Sequence, residues 1–158
     1  MEQRISFQDV PGGYMEALFG LGKYLHQTSL DVKLAHLIAY RVSQINGCAY
    51  CLDMHHKDAI HNGDTEQRLH SLPAWRECPY YSEAERAALE MADTLTQTSD
   101  VDDATYARLE KYFTKAQIAD LAFAISATNT WNRLNKAFRT IPGTYQVNQF
   151  KTPETAIA

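Results

Sequence analysis

The sequence predicts an all-α fold, on three observations. Apolar residues recur at helical spacing over nearly the whole span from residue 14 to residue 139. Helix-start signals stand ahead of several of these stretches. No segment alternates apolar and polar residues in the manner of a strand. At 158 residues, with 45% hydrophobic and 22% charged residues, the chain has the size and composition of one soluble globular domain with a full core.

The first helix, from Tyr14 to His26, turns Ala17, Leu18, Leu21 and Leu25 to one side. Gly20 and Gly22 weaken it relative to alanine, and they would admit a close helix neighbour. Leu34, Ile38, Val42 and Ile45 mark a second helix, with Asp31 at its N-cap position. Asn46-Gly47 interrupts that pattern. A third helix runs from about Cys48 to His61, and Asn62-Gly63 closes it as a C-terminal cap would. Asp64 is the candidate cap of a short helix through Leu69. From Ser71 to Tyr81, prolines and clustered aromatics predict an ordered connector without helix, holding Trp75 and Cys78.

Ser82 and Glu85 form a capping box ahead of a helix with Ala88, Met91, Ala92 and Leu95 on one face. Asp102 or Asp103 starts a shorter helix carrying Tyr106, Leu109 and Phe113. Thr114 and Gln117 form a second capping box. The pattern after it runs through Ile118, Leu121, Ala122, Ile125, Trp131, Leu134 and Phe138 and stops before Pro142-Gly143. Residues 1–142 read as a single domain and residues 143–158 as a loosely held tail. Trp75, Tyr80, Tyr81 and Trp131 are aromatics available for contacts in a homo-oligomer.

Charge and termini narrow the function classes. A net charge of -4 and the lack of any Lys/Arg run give no reason to expect nucleic acid or an anionic membrane surface. The N-terminus opens no apolar signal region, and no apolar run approaches membrane-spanning length. Three cysteines are too few, and odd in number, for a secreted disulfide framework. The expected location is the cytoplasm.

The chemistry-bearing stretch is Asn46 to His55, which holds Cys48, Cys51 and His55. On a helix, i,i+3 and i,i+4 spacing puts these three on one face. Thiols so placed can close a short disulfide, and a nearby imidazole can take the proton that leaves when a thiolate forms. So short a loop is a poor structural staple, because closing it removes little entropy from the unfolded chain. A thioredoxin-type motif would sit beside a strand–helix unit, and no strands are found. A structural zinc site at Cys48, Cys51 and His55 lacks an obvious fourth ligand, with His55, His56 and His61 near and Cys78 remote. Two small buried cysteines without chemistry are the bland alternative. Redox chemistry is the favoured reading, and no metal is expected.

The string Ser43 to His55 also resembles the core of the AhpD-like alkylhydroperoxidases, within the carboxymuconolactone decarboxylase superfamily. The signature there is Cys-x-x-Cys-x-x-x-His on a helical hairpin, matched here by Cys48, Cys51 and His55. Phe19 to Gly63 covers the family core. Glu85 to Leu89 and Asn129 to Arg133 resemble the flanking helices of the peroxidase-related branch, so the likeness spans most of the chain. The resemblance implies an AhpD-like helical bundle, built into trimers or hexamers, that reduces hydroperoxides with its cysteine pair. It also implies an external thiol or lipoylated protein as reductant, with a peroxiredoxin as a further partner in the family. No flavin, haem or nicotinamide fingerprint occurs in the chain, so no bound cofactor is expected.

Two positions depart from the family pattern. Twelve residues before the first cysteine, where the best-described peroxidase has a relay glutamate, this chain has His36. His36 is either a second imidazole in the relay or an ordinary polar residue at a helix start. Between the cysteines, where that enzyme has histidine, stands Tyr50, which either supplies a hydroxyl or packs at a subunit contact. Cys48 would lie at the positive end of its helix, and Cys51 one turn from His55, so the attacking sulfur is left open. His56 and His61 are read as surface residues, Cys78 as a bystander, and Trp131-Asn132-Arg133 as packing with a surface ion pair. The favoured activity is thiol-dependent peroxidase or disulfide reductase. The alternatives are a decarboxylase or lactone enzyme on the same scaffold, and a non-enzymatic redox sensor.

Overall fold

A computed structural model describes residues 2–150, and it is all-α. Seven α-helices follow in order: α1 (Tyr14–Leu25), α2 (Val32–Asn46), α3 (Ala49–His61), α4 (Glu66–Ser71), α5 (Glu83–Thr98), α6 (Asp103–Leu109) and α7 (Lys115–Phe138). No strand occurs among the described residues, and no helix there is long and apolar enough to cross a membrane. The helix α2 is the hub, packing against α3, α5 and α7. Its stripe differs from the expected one, because Leu37 joins Leu34, Ile38 and Val42 in the core while Ile45 is only partly buried. These side chains meet Leu69, Leu72, Leu89, Leu109, Leu121 and Ile125, all fully buried.

The start signals act as their chemistry requires. The Asp31 carboxylate accepts from the Leu34 N–H at 2.8 Å. Ser82 with Glu85 and Thr114 with Gln117 each form the reciprocal capping box. Asp102, not Asp103, caps α6 by accepting from the Thr105 N–H at 2.7 Å.

Several expectations are corrected. Thr65 rather than Asp64 caps α4, accepting from the Arg68 N–H at 3.3 Å. The Asp64 carboxylate is buried and takes Arg68 Nε at 2.7 Å instead, and the same guanidinium reaches Glu85 at 2.5 Å. Helix α6 ends at Leu109, so Phe113 lies beyond it, and Tyr106 faces solvent. The connector after α4 does hold one helical turn, the 3-10 turn Leu72–Ala74, where Pro73 sits at a position whose N–H needs no partner. Trp75 and Tyr81 belong to the core of the protomer and are not available for subunit contacts. Helix α1 buries no residue within the protomer, and a side chain at Gly20 or Gly22 would meet nothing. It rests on α7 through Tyr24, whose hydroxyl donates to Asp120 at 2.8 Å, and through Phe19 against Trp131.

The tail reading is also revised for residues 143–150, while residues 151–158 lie outside the described ones. Tyr145 is buried, and three hydrogen bonds tie residues 143–145 to α3.

Between α2 and α5 lies a buried charge cluster. The Asp93 carboxylate, 4% exposed, accepts from Arg41 Nε at 2.6 Å, Arg76 at 2.8 Å and the Trp75 indole N–H at 3.1 Å. Burial opposes its ionisation, but the two guanidiniums outweigh burial and hold the carboxyl below the usual range. With the folded pKa depressed, this stabilisation is present above the ordinary carboxylate pKa and is lost as pH falls through the folded value. Truncating Asp93 leaves Arg41 buried without a counter-charge. Asp93→Ala should therefore lower the unfolding free energy by about 3–5 kcal/mol. Denaturant unfolding at neutral pH checks this; a loss below about 1 kcal/mol would show the cluster to be solvated.

Candidate functional site

The site is built at the corner between α2 and α3. Gly47 closes α2 in the left-handed region at φ 60°, where a Cβ is disfavoured. Its N–H donates to the Gln44 carbonyl at 3.2 Å and the Cys48 N–H to the Ser43 carbonyl at 3.1 Å, the two bonds of a Schellman cap. Helix α7 then clamps the corner. The Asn46 amide donates to Asn129 and to Asn132, both at 2.9 Å, and the Asn132 amide donates to the Ser43 hydroxyl at 3.1 Å. Lys136 donates to the Asn46 carbonyl at 2.5 Å. The group expected as packing with a surface ion pair is thus different: Asn132 is fully buried in this clamp, and Arg133 bonds Asn129.

Cys48 is the N-cap of α3, its sulfur accepting from the Cys51 N–H at 3.4 Å. Cys48 and Cys51 are 1% and 0% exposed and are joined as a disulfide, with Cα atoms 5.3 Å apart. The Asn135 amide approaches the Cys51 sulfur at 3.6 Å. Each sulfur therefore has an N–H donor of its own, which favours the thiolate when the bond is reduced. Tyr50 and Met54 pack against the pair. Burial first, then Asp53 and Asp58, push the Tyr50 phenol above its ordinary range, so it stays protonated. Cys78 is free and elsewhere, its sulfur against the Ser71 carbonyl at 3.7 Å.

His55 lies one turn beyond Cys51. Its Nδ1 is buried and has no hydrogen-bond partner among the described residues. Burial, with the His36 imidazole adding to it, pushes the ring down to about 3. His55 is thus a neutral acceptor at physiological pH. One donor atom each from His36, His55 and Asp58 lie within 4.8 Å of one another. His36 faces His55 across the α2–α3 contact. Asp58 accepts from the Tyr145 hydroxyl at 2.8 Å. His56 pairs with Glu66 at 2.9 Å, and His61 is exposed, both apart from this grouping.

Two imidazoles and a carboxylate are donor types that a divalent cation uses, and equally those of a proton relay. The two sulfurs, bonded to each other, offer no thiolate ligand. Sequence reasoning missed Asp58, Asn135 and Tyr145. The i+3 offset of Asp58 from His55 was a readable signal; only tertiary packing brings in the other two.

Residues 12–94 match the carboxymuconolactone decarboxylase family, a family named for an enzyme, and the chain belongs to it. Its fold is shared with AhpD-like structural relatives. It is similar to the uncharacterized protein YdfG of Bacillus subtilis, at 41% identity over 87% of this chain and 95% of that one. A protein of unknown function from Agrobacterium tumefaciens, provisionally named as the antioxidant defence protein AhpD, superposes with a TM-score of 0.86 at 35% identity. That match covers 91% of this chain and 100% of the other. An uncharacterized peroxidase-related protein from Silicibacter sp. TM1040 superposes with a TM-score of 0.74 at 25% identity, over 82% of this chain and 70% of that one.

The depressed His55 pKa has a testable consequence. Histidine NMR on the oxidised protein should show His55 neutral from pH 5 to 8; a titration midpoint near the ordinary 6.5 would overturn the burial argument. Because the unfolded chain binds this proton first, the contribution of His55 to stability is full above about 6.5 and is lost as pH falls toward 3.

Proposed function

We propose that this chain is a thiol-dependent peroxidase or disulfide reductase, with Cys48 and Cys51 as the redox pair and His55 as the base. The observation that supports it most is the buried sulfur pair at disulfide distance, one turn from a neutral imidazole. In the reduced state His55 takes a thiol proton. The thiolate attacks the peroxide O–O bond, giving a sulfenic acid, and the departing oxygen takes a proton and leaves as the alcohol. The second cysteine sulfur then displaces water and closes the Cys48–Cys51 disulfide, so the dithiol has supplied both electrons. An external dithiol restores the pair by exchange and is itself oxidised to a disulfide. Because both sulfurs are buried in the protomer, the reductant has to be slender, as a small thiol or the lipoyl arm of a carrier protein is. His36 and Tyr50 are the candidate relay groups next to this couple. The cytoplasm, where thiols are kept reduced, fits a cycle of this kind.

Peroxide consumption with dihydrolipoamide or dithiothreitol is the direct test. Cys48→Ser and Cys51→Ser should each abolish turnover, while Cys78→Ser leaves it unchanged. His55→Gln should lower the rate roughly 10²–10⁴-fold at neutral pH. Turnover that survives loss of both cysteines would refute the redox reading and favour a decarboxylase or lactone activity.

The assembly proposed with it is a homo-oligomer, a trimer or hexamer by resemblance. Phe19 and Tyr24, 44% and 47% exposed on α1, give it apolar surface that the protomer leaves uncovered. Sedimentation should show a species larger than one protomer, diminished by Phe19→Asp; a lone protomer at working concentration overturns the assembly.

A further inference from the structure

We propose that Asp58, held by the Tyr145 hydroxyl, is the carboxylate that orients the His36 and His55 imidazoles, and that the segment 143–150 is thereby part of the redox site. This rests on the reading of Cys48, Cys51 and His55 given above. Burial and the neighbouring His36 imidazole both oppose a proton on His55. A carboxylate within reach changes that balance, because it stabilises the imidazolium that forms when a thiol loses its proton. Asp58 stands three residues beyond His55 on the same face of α3, with a carboxylate oxygen inside the 4.8 Å grouping.

The structure fixes that carboxylate from outside α3. The Tyr145 hydroxyl donates to Asp58 Oδ1 at 2.8 Å, and a carboxylate has capacity for further donors. Burial, then the bond to Asp58, raise the phenol well above its ordinary range, so it remains a donor throughout the working pH range. The backbone around it is held too. The Gly143 N–H donates to Asp53 at 3.1 Å, and Lys57 bridges Asp53 at 2.9 Å and the Tyr145 carbonyl at 3.1 Å. Beyond it, the Tyr145 ring stacks on Phe150, which meets Phe19 of α1. The strap therefore runs from α3 to α1 across the end of the site. Among the described residues, His36 from α2, His55 and Tyr50 from α3 and Tyr145 from the strap face Asp58, while Asp53 and Lys57 of α3 bond the strap backbone and Asn135 of α7 bonds Cys51. Tyr145 acts through Asp58 and is a positioning residue.

The test is the pH profile of alkylation of the reduced full-length protein by iodoacetamide, with the modified sulfur mapped by mass spectrometry. It needs no peroxide. Asp58→Asn should slow alkylation of the Cys48/Cys51 pair at pH 7 about tenfold and move the midpoint up by about one pH unit. Tyr145→Phe keeps the ring and its stacking, and should shift the midpoint in the same direction by a smaller amount, with Asp58→Glu restoring part of the rate. Tyr145→Phe also carries the test should Asp58→Asn fold poorly. A wild-type midpoint in a folded Tyr145→Phe variant overturns the proposal. If wild type consumes no peroxide and yet both midpoints shift, the peroxidase reading fails while this one stands.

Discussion

Gly47 turns the chain through a left-handed conformation, and the amide groups of α7 hold that turn in place. Everything at the site follows from this corner. The Schellman cap sets where α2 stops, so Cys48 becomes the first cap of α3 and its sulfur meets the free N–H groups of the new helix. Asparagine suits the clamp because one short amide both donates and accepts. Asn132 is fully buried, a placement that costs free energy unless its polar atoms are matched, and Ser43 and Asn46 match them. A helix far away in sequence thus fixes the geometry of a motif that looks local.

The sulfurs, His55 and the two phenols carry no charge in the oxidised state. His55 is neutral, Tyr50 and Tyr145 are protonated, and the two sulfurs are bonded. The sulfurs become charged only when the disulfide is reduced and a thiol gives up its proton. Burial makes that step costly, and the donors already in place offset it: the Cys51 N–H at one sulfur and the Asn135 amide at the other. His36, His55 and Asp58 stand grouped within 4.8 Å of one another on the α2–α3 side of the site.

The hub helix α2 serves two electrostatic regions at once. Arg41 turns toward α5 and closes the buried cluster with Asp93, while His36 turns toward His55 and Asp58 of α3. Five residues separate the two, which is about 140° around a helix, so one element presents each to a different neighbour. The structural ion cluster thereby anchors α2 without entering the chemistry.

What the sequence by itself determined is whatever depends on neighbours along the chain. Helical periodicity, the Asp31 cap, both capping boxes and the Gly47 break are local facts, set by backbone sterics and by spacing of three or four residues. Local rules also misled at α4, where Arg68, itself paired with Glu85 of α5, draws the Asp64 carboxylate into an ion pair and leaves the cap to Thr65. Tertiary structure alone decided that Trp75 and Tyr81 fill the core, that Asn135 reaches Cys51, and that Tyr145 returns from beyond α7 to hold Asp58. These contacts join residues scores of positions apart. No periodicity encodes them, since they exist only once packing has brought separate helices to within a hydrogen bond of each other.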